Sequence, residues 1–160
     1  MLFRSATGAA SVGCDEAMIK RMHDFGESVG IAFQIKDDLF DYEESVKTGK
    51  PKGIDIKEHK MTLPVIYTLQ NVSKDDKKFI INTIKDHSED NKRVEQVIQL
   101  VLSNGGLDYA RNAMYSYQQK AFDLLTDIPD SEYKTSLMEL VRYTTVRRSE
   151  EHTSELQSPC

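Results

Sequence analysis

Between Met22 and Asp41 apolar residues recur at helical spacing on several sides at once: Met22, Phe25, Val29, Ile31, Ala32, Ile35, Leu39 and Phe40. At 3.6 residues per turn they cover most of a helix circumference, which marks a helix buried in a protein interior rather than one lying on a surface. One stripe is left polar. Gln34, Asp37, Asp38 and Asp41 fall within an arc of about 100°, with Gly26 and Gly30 beside it. Like charges three or four positions apart cost roughly 0.2–0.5 kcal/mol per pair in water, and desolvation raises that cost. A hard divalent cation with oxygen ligands compensates directly, and magnesium in particular is held by one or two carboxylates together with phosphates and water. The glycines remove side chains on the same side, where a ligand or a second helix can approach. An isolated Asp-Asp-x-x-Asp also fits a solvated acidic edge. Such an edge requires neither the apolar residues on the other faces nor the two glycines.

The next stretch, Val46 to Lys60, has no periodicity and carries Gly49, Pro51 and Gly53, so it reads as a loop. It is basic in an otherwise acidic chain: Lys47, Lys50, Lys52, Lys57 and Lys60 outnumber Asp55 and Glu58, against a net charge of −5 overall. Gly49-Lys50 is not a P-loop, because the Gly-x-x-x-x-Gly-Lys-Ser/Thr spacing is absent. Beside a metal-type carboxylate face, however, a cationic loop supplies what a bound diphosphate needs, since metal and ammonium groups together neutralise it. Taken alone it is equally a solvated lysine loop.

The remainder reads as helices with short connections. Asp15 is placed to cap the long acidic helix, which should end between Asp41 and Ser45. Pro64 sits near the start of an apolar segment through Val65, Ile66 and Leu69. Ser73 with Asp76 resembles a capping box ahead of Phe79, Ile80 and Ile84. Val94, Val97, Ile98 and Val101 follow and end at Asn104-Gly105-Gly106. Leu107, Ala110, Met114, Tyr117, Ala121 and Leu124 form another helix that Pro129 breaks, and Ser131 can cap the last one, with Leu137, Leu140 and Val141 inward. No segment alternates with period two for long enough to form a strand, so the fold class is all-α.

A chain of 160 residues suits one domain. The acidic balance, without a basic patch interleaved with aromatics, points away from nucleic acid. No apolar run reaches the length of a membrane span and no secretory leader opens the chain. Cys14 and Cys160 make neither a disulfide framework nor a metal-ligand spacing, which fits a reducing, cytoplasmic setting. His23, His59 and His87 lack the spacing of zinc or nucleophile–base pairs and read as surface residues. Tyr109, Tyr115 and Tyr117 read as core and groove packing on a long helix. The ends mirror each other: Leu2-Phe3-Arg4-Ser5 can be encoded by CTC TTC CGA TCT, whose reverse complement encodes Arg148-Ser149-Glu150-Glu151, in the manner of a sequencing-adapter oligonucleotide. Residues 1–5 and 148–160 are therefore expected to be non-native, and residues 6–147 to carry the fold.

The run Gly30-Ile31-Ala32-Phe33-Gln34-Ile35-Lys36-Asp37-Asp38-Leu39-Phe40-Asp41 resembles the second aspartate-rich motif of the trans-isoprenyl diphosphate synthases, the polyprenyl synthetase family. The resemblance continues through Gly49-Lys50-Pro51-Lys52-Gly53-Ile54-Asp55 and Lys60-Met61-Thr62-Leu63-Pro64, and more weakly through Gly105-Gly106-Leu107-Asp108-Tyr109-Ala110. It implies the C-terminal half of an isoprenoid-synthase helical bundle. It also implies magnesium (Mg2+) at Asp37, supported by Asp38 and Asp41, with Asp55 in the outer shell. Lys50 would bind the diphosphate and act in catalysis with Asp37, while Phe33, Gln34 and Lys60 would lie on the substrate side. The implied reaction joins isopentenyl diphosphate to an allylic diphosphate, in an enzyme that is homodimeric at full length. The family's first aspartate-rich motif and isopentenyl diphosphate site are absent, so the fragment alone is expected to be inactive and product length is not encoded in it. A non-catalytic partner subunit, a terpene cyclase and a purely structural bundle are the competing readings; the intact aspartates and Lys50 oppose the first of these, and the lysine loop the second.

Overall fold

A computed structural model of the chain describes residues 2–48 and 53–146, with side chains over 4–42 and 53–145. Every regular element among them is a helix: α1 (Leu2–Ser11), α2 (Glu16–Thr48), α3 (Ile54–Lys57), α4 (Leu63–Asn71), α5 (Lys74–Asp86), α6 (Asn91–Ser103), α7 (Gly106–Leu125) and α8 (Glu132–Val146). The all-α expectation holds.

Local signals start these helices. Asp15 Oδ1 accepts the Met18 N–H at 2.8 Å at the head of α2. Ser73 Oγ accepts the Asp76 N–H at 3.1 Å and donates to the Asp76 carboxylate at 2.7 Å, opening α5. Ser131 Oγ accepts from Lys134 N at 3.2 Å before α8, and Pro64 stands in the first turn of α4. Asp15, Ser73 and Ser131 each satisfy an N–H that the first turn of a helix leaves without an intrahelical partner, and Pro64 has no N–H to satisfy. α2 differs from expectation in length, running to Thr48. After Asp41 no glycine or proline interrupts the chain before Gly49, so nothing in the backbone chemistry stops the helix earlier. Within the expected loop a single helical turn, α3, also forms.

The residues divide into two units, Met1–Val29 with Gln118–Cys160, and Gly30–Tyr117. In the first, Phe25, Val29, Ala121, Leu125 and Val141 form the core, with Met22, Phe122 and Leu137 packed on it. In the second, Ala32, Ile35, Leu39 and Tyr42 bury one face of α2 against Ile56, Val65, Ile80, Ile84, Val94, Val97, Ile98 and Val101. Full burial of each branched aliphatic side chain contributes about 1.5–3 kcal/mol, so the α2 face is held mainly by this core. α7 enters the second unit through a close approach at Gly106, where a Cβ would lie 2.7 Å from the Pro64 carbonyl oxygen and 2.7 Å from Thr68 Oγ1. Tyr117 packs on this core, whereas Tyr109 and Tyr115 stay exposed. Tyr109 instead stacks on Tyr67, ring centroids 4.2 Å apart; periodicity put all three tyrosines on one helix without saying how wide its buried face is.

Candidate functional site

The acidic stripe lies along α2 as its spacing requires: Gln34 and Asp37 are exposed, and Phe33, Asp38 and Asp41 are half-buried. Among the described residues, none comes within 4 Å of where a Gly30 side chain would stand. Two of the carboxylates reach other elements. Asp41 Oδ1 accepts the Ile54 N–H at 3.1 Å and Oδ2 accepts the Asp55 N–H at 3.2 Å, so Asp41 caps α3 from a different helix. Asp38 Oδ2 accepts the Leu63 N–H at 3.4 Å, at the first residue of α4. Both contacts place negative charge at the positive end of a helix.

α3 brings Asp55 to the same place. Its side chain is only 14% exposed and accepts a 3.1 Å ion pair from Lys60 Nζ, which also pairs with Glu58 at 2.6 Å. Behind them Tyr42, fully buried, hydrogen-bonds through its hydroxyl to Thr62 Oγ1 at 3.2 Å. Burial pushes the Tyr42 phenol well above its usual range, partly offset by Thr62. Tyr42 has no sequence signal, because it reads as ordinary helix composition; Thr62 stands in the Lys60–Pro64 run of the resemblance, which assigns it no role.

Thus Asp38 and Asp41 of α2, Asp55 of α3 and Lys60 of the following connection come together, with Asp37 close enough to act on Asp38 electrostatically. Phe33 and Gln34 lie about one turn earlier on α2. Lys50, together with Gly49, Pro51 and Lys52, lies outside the described residues.

The charge gathered here stands partly out of water. Burial pushes the Asp38 carboxyl above the usual carboxylate range; the Leu63 N–H opposes this, while Asp55 and Asp37 add to it and Lys60 subtracts. Lys60 is held well above the ordinary lysine range by its bonds to Glu58 and Asp55. The donor set is all oxygen, the chemistry a hard divalent cation takes. Asp38 and Asp41 use oxygens on backbone N–H groups, and a carboxylate offers about four acceptor positions, more than those backbone bonds take up.

A second group could also hold a metal ion. His23, Asp24 and Glu27 on the first half of α2 place three ligand atoms within 4.8 Å of one another; among the described residues it is this group, not the aspartate stripe, that is gathered so tightly. The signal was the one- and four-residue spacing after His23. Lys20 already pairs with Asp24 at 2.8 Å, and His23 Nδ1 lies 3.4 Å from the same carboxylate. These contacts hold the Asp24 carboxyl below its usual range, Lys20 being the larger cause.

Comparison with known proteins gives the same family as the motifs. The Polyprenyl synthetase family model matches residues 1–101. The octaprenyl diphosphate synthase of Haemophilus influenzae is 33% identical over 151 residues, covering 92% of this chain and 45% of that protein. The geranylgeranyl diphosphate synthase of Sulfolobus acidocaldarius is 32% identical over 146 residues, covering 90% and 44%. Among solved structures, geranylgeranyl pyrophosphate synthase from Bacteroides thetaiotaomicron superposes with a TM-score of 0.80 at 35% identity, covering 89% of this chain and 47% of that one. A polyprenyl synthase from Caulobacter crescentus complexed with calcium and isoprenyl diphosphate gives 0.75 at 29% identity, covering 91% and 44%. The chain therefore spans less than half the length of these relatives. Its helices have the isoprenoid-synthase fold, and the chain belongs to the polyprenyl synthetase family.

Proposed function

We propose that the full-length protein is a trans-prenyltransferase that joins isopentenyl diphosphate to an allylic diphosphate and releases diphosphate, working as a homodimer in the cytoplasm. The observation that carries this reading is the meeting of Asp38 and Asp41 of α2, Asp55 of α3 and Lys60 of the connection before α4. The names of the relatives support it, as does the isoprenyl diphosphate named for the Caulobacter crescentus structure. The 160-residue chain by itself is inactive on this reading, since it corresponds to less than half of each relative.

The chemistry is cleavage of the allylic carbon–oxygen bond, attack of the isopentenyl double bond on the resulting cation, and loss of a proton. Asp37, Asp38 and Asp41 would hold Mg2+, with Asp55 in its outer shell. When bound, the metal supplies charge neutralisation for the departing diphosphate. Lys60 presents an ammonium that stays protonated at neutral pH and, with Lys50, binds diphosphate oxygens. Phe33 and Gln34 lie on the allylic side. No helix among the described residues is long and apolar enough to cross a membrane.

The test is the full-length protein with magnesium, isopentenyl diphosphate and a short allylic diphosphate. Elongated products that vanish with Asp37→Ala are expected. A well-folded full-length protein that makes none would overturn the reading in favour of a non-catalytic partner subunit.

A further inference from the structure

A helix of one turn does not hold itself together, because nucleation costs more than its few hydrogen bonds return. α3 is such a helix, and it carries Asp55. Its start is held by Asp41. Its end is closed by two backbone bonds, His59 N–H to the Ile56 carbonyl at 3.1 Å and Lys60 N–H to the Asp55 carbonyl at 2.8 Å. This is the pattern in which a residue just past the helix turns left-handed. Glycine usually occupies that position; here it is His59, with φ +59°, and it is the one non-glycine residue with positive φ among the described residues.

A histidine in that region persists only where its surroundings hold it there. The hold is visible: His59 Nδ1 hydrogen-bonds to the carbonyl oxygen of Ile84, a buried residue in the last turn of α5. Carbonyls in that turn lack intrahelical partners. A carbonyl only accepts, so Nδ1 carries the hydrogen. The turn so fixed stacks Lys60 over Asp55, and these two residues are joined twice, by the backbone bond and by the 3.1 Å ion pair.

We propose that His59 is a positioning residue for the site assigned above: its left-handed backbone and its tie to α5 set the Lys60 ammonium over the Asp55 carboxylate. Calling that place a diphosphate site rests on the prenyltransferase reading; the geometry of the turn does not.

Three variants of the 160-residue chain separate the two parts of the device. His59→Gly keeps the left-handed turn without the tie, His59→Asn keeps tolerance for that backbone together with an N–H donor, and His59→Ala keeps neither. The first readout is the rate of Lys60 acetylation by limiting acetic anhydride, located by mass spectrometry with Lys77 and Lys85 as internal references. Lys60 labelling is expected to rise about 1.5- to five-fold in His59→Ala, the range an exposed ion pair spans. It should rise less in His59→Gly and return near the wild-type rate in His59→Asn. Should His59→Ala fail to fold, His59→Gly decides. Unchanged Lys60 labelling in the folded Gly and Ala variants overturns the proposal. The second readout is binding of inorganic pyrophosphate with magnesium, followed by NMR. Weaker binding in His59→Ala, rescued by His59→Asn, supports the positioning role at a diphosphate site. A wild-type chain that binds no pyrophosphate while its Lys60 labelling still depends on His59 overturns the diphosphate reading and upholds the turn.

Discussion

Gly53→Ala should be among the most damaging small substitutions in the second unit, for reasons that can be separated. Gly53 opens α3 with φ +49°, and a Cβ there would lie 2.5 Å from Val94 Cγ1 and 3.2 Å from Ile98 Cδ1. Both neighbours are core residues, 1% and 3% exposed, so neither can swing into solvent. An L-residue in the left-handed region costs roughly 1–2 kcal/mol, and forcing a methyl into a filled core costs about 1–3 kcal/mol. Alanine stiffens the unfolded chain and returns about 0.4–1 kcal/mol. The net loss is about 1–5 kcal/mol, a large share of the roughly 5–15 kcal/mol that holds an ordinary domain. Urea unfolding followed by circular dichroism measures it. Val94→Ala is the internal control, because it removes the methyl that the new Cβ meets. In the double variant the two losses should fall short of additive by about 1 kcal/mol. A Gly53→Ala chain within about 0.5 kcal/mol of wild type, the scatter of harmless surface changes, would refute the reasoning.

Further expectations follow from single contacts. Gly30→Ala should be stabilising by about 0.5–1 kcal/mol, as alanine is in helix interiors, because its Cβ meets none of the described residues; on the proposed prenyltransferase reading it should nonetheless lower the activity of the full-length protein if the open space beside the aspartates takes substrate. A destabilised Gly30→Ala in urea unfolding contradicts the first part. Asp41→Ala should cost about 0.5–2 kcal/mol through loss of the α3 cap, with Asp41→Asn recovering part of it, read from the same unfolding curves; equal losses for the two would count against capping. Tyr42→Phe should cost about 1–3 kcal/mol, since it leaves the buried Thr62 hydroxyl without its 3.2 Å partner; a shift in melting temperature tests this, and no shift refutes it. Magnesium added to the 160-residue chain should move the amide resonances of Asp37, Asp38 and Asp41 together, and Asp37→Ala should weaken binding about tenfold, or about 1.4 kcal/mol. Resonance shifts confined to His23, Asp24 and Glu27 would place the ion on the other group.

Features that depend on neighbours a few positions away are legible in the sequence. Asp15, Ser73 and Ser131 cap within three residues, and the buried face of α2 follows from its period. Contacts made across the chain are not. Asp41 reaches N–H groups 13 and 14 positions on, Asp38 reaches one 25 positions on, and the His59 ring also finds its partner 25 positions on. No spacing rule encodes those separations. α3 was hidden for the same reason: four residues carry no period, and the cap that starts the helix stands on another element. His59 looked bland because a histidine in a lysine-rich loop announces neither a left-handed backbone nor a partner in α5. The aspartate stripe was visible as a charge pattern, yet its division of labour was not.

That division changes how substitutions along the stripe should be read. Asp38 and Asp41 each hold the start of a helix, and those helices bring Asp55, Lys60 and Leu63 into place. Removing either carboxylate therefore takes away a candidate metal ligand and a cap together. Loss of activity alone does not separate the two effects. Asp37 is more exposed and acts on the group through its charge on Asp38. Asp37→Ala consequently reports on cation binding more cleanly than Asp41→Ala, and the contrast has a sign. Replacing Asp37 relieves one repulsion on Asp38 and leaves the starts of α3 and α4 held by Asp41 and Asp38, so it should cost less stability than replacing Asp41 while metal binding falls. Replacing Asp41 should lower stability and metal binding together. An Asp37 variant that melts as early as the Asp41 variant would mean that the stripe is held together by its own contacts, and that its charges are not waiting for a cation.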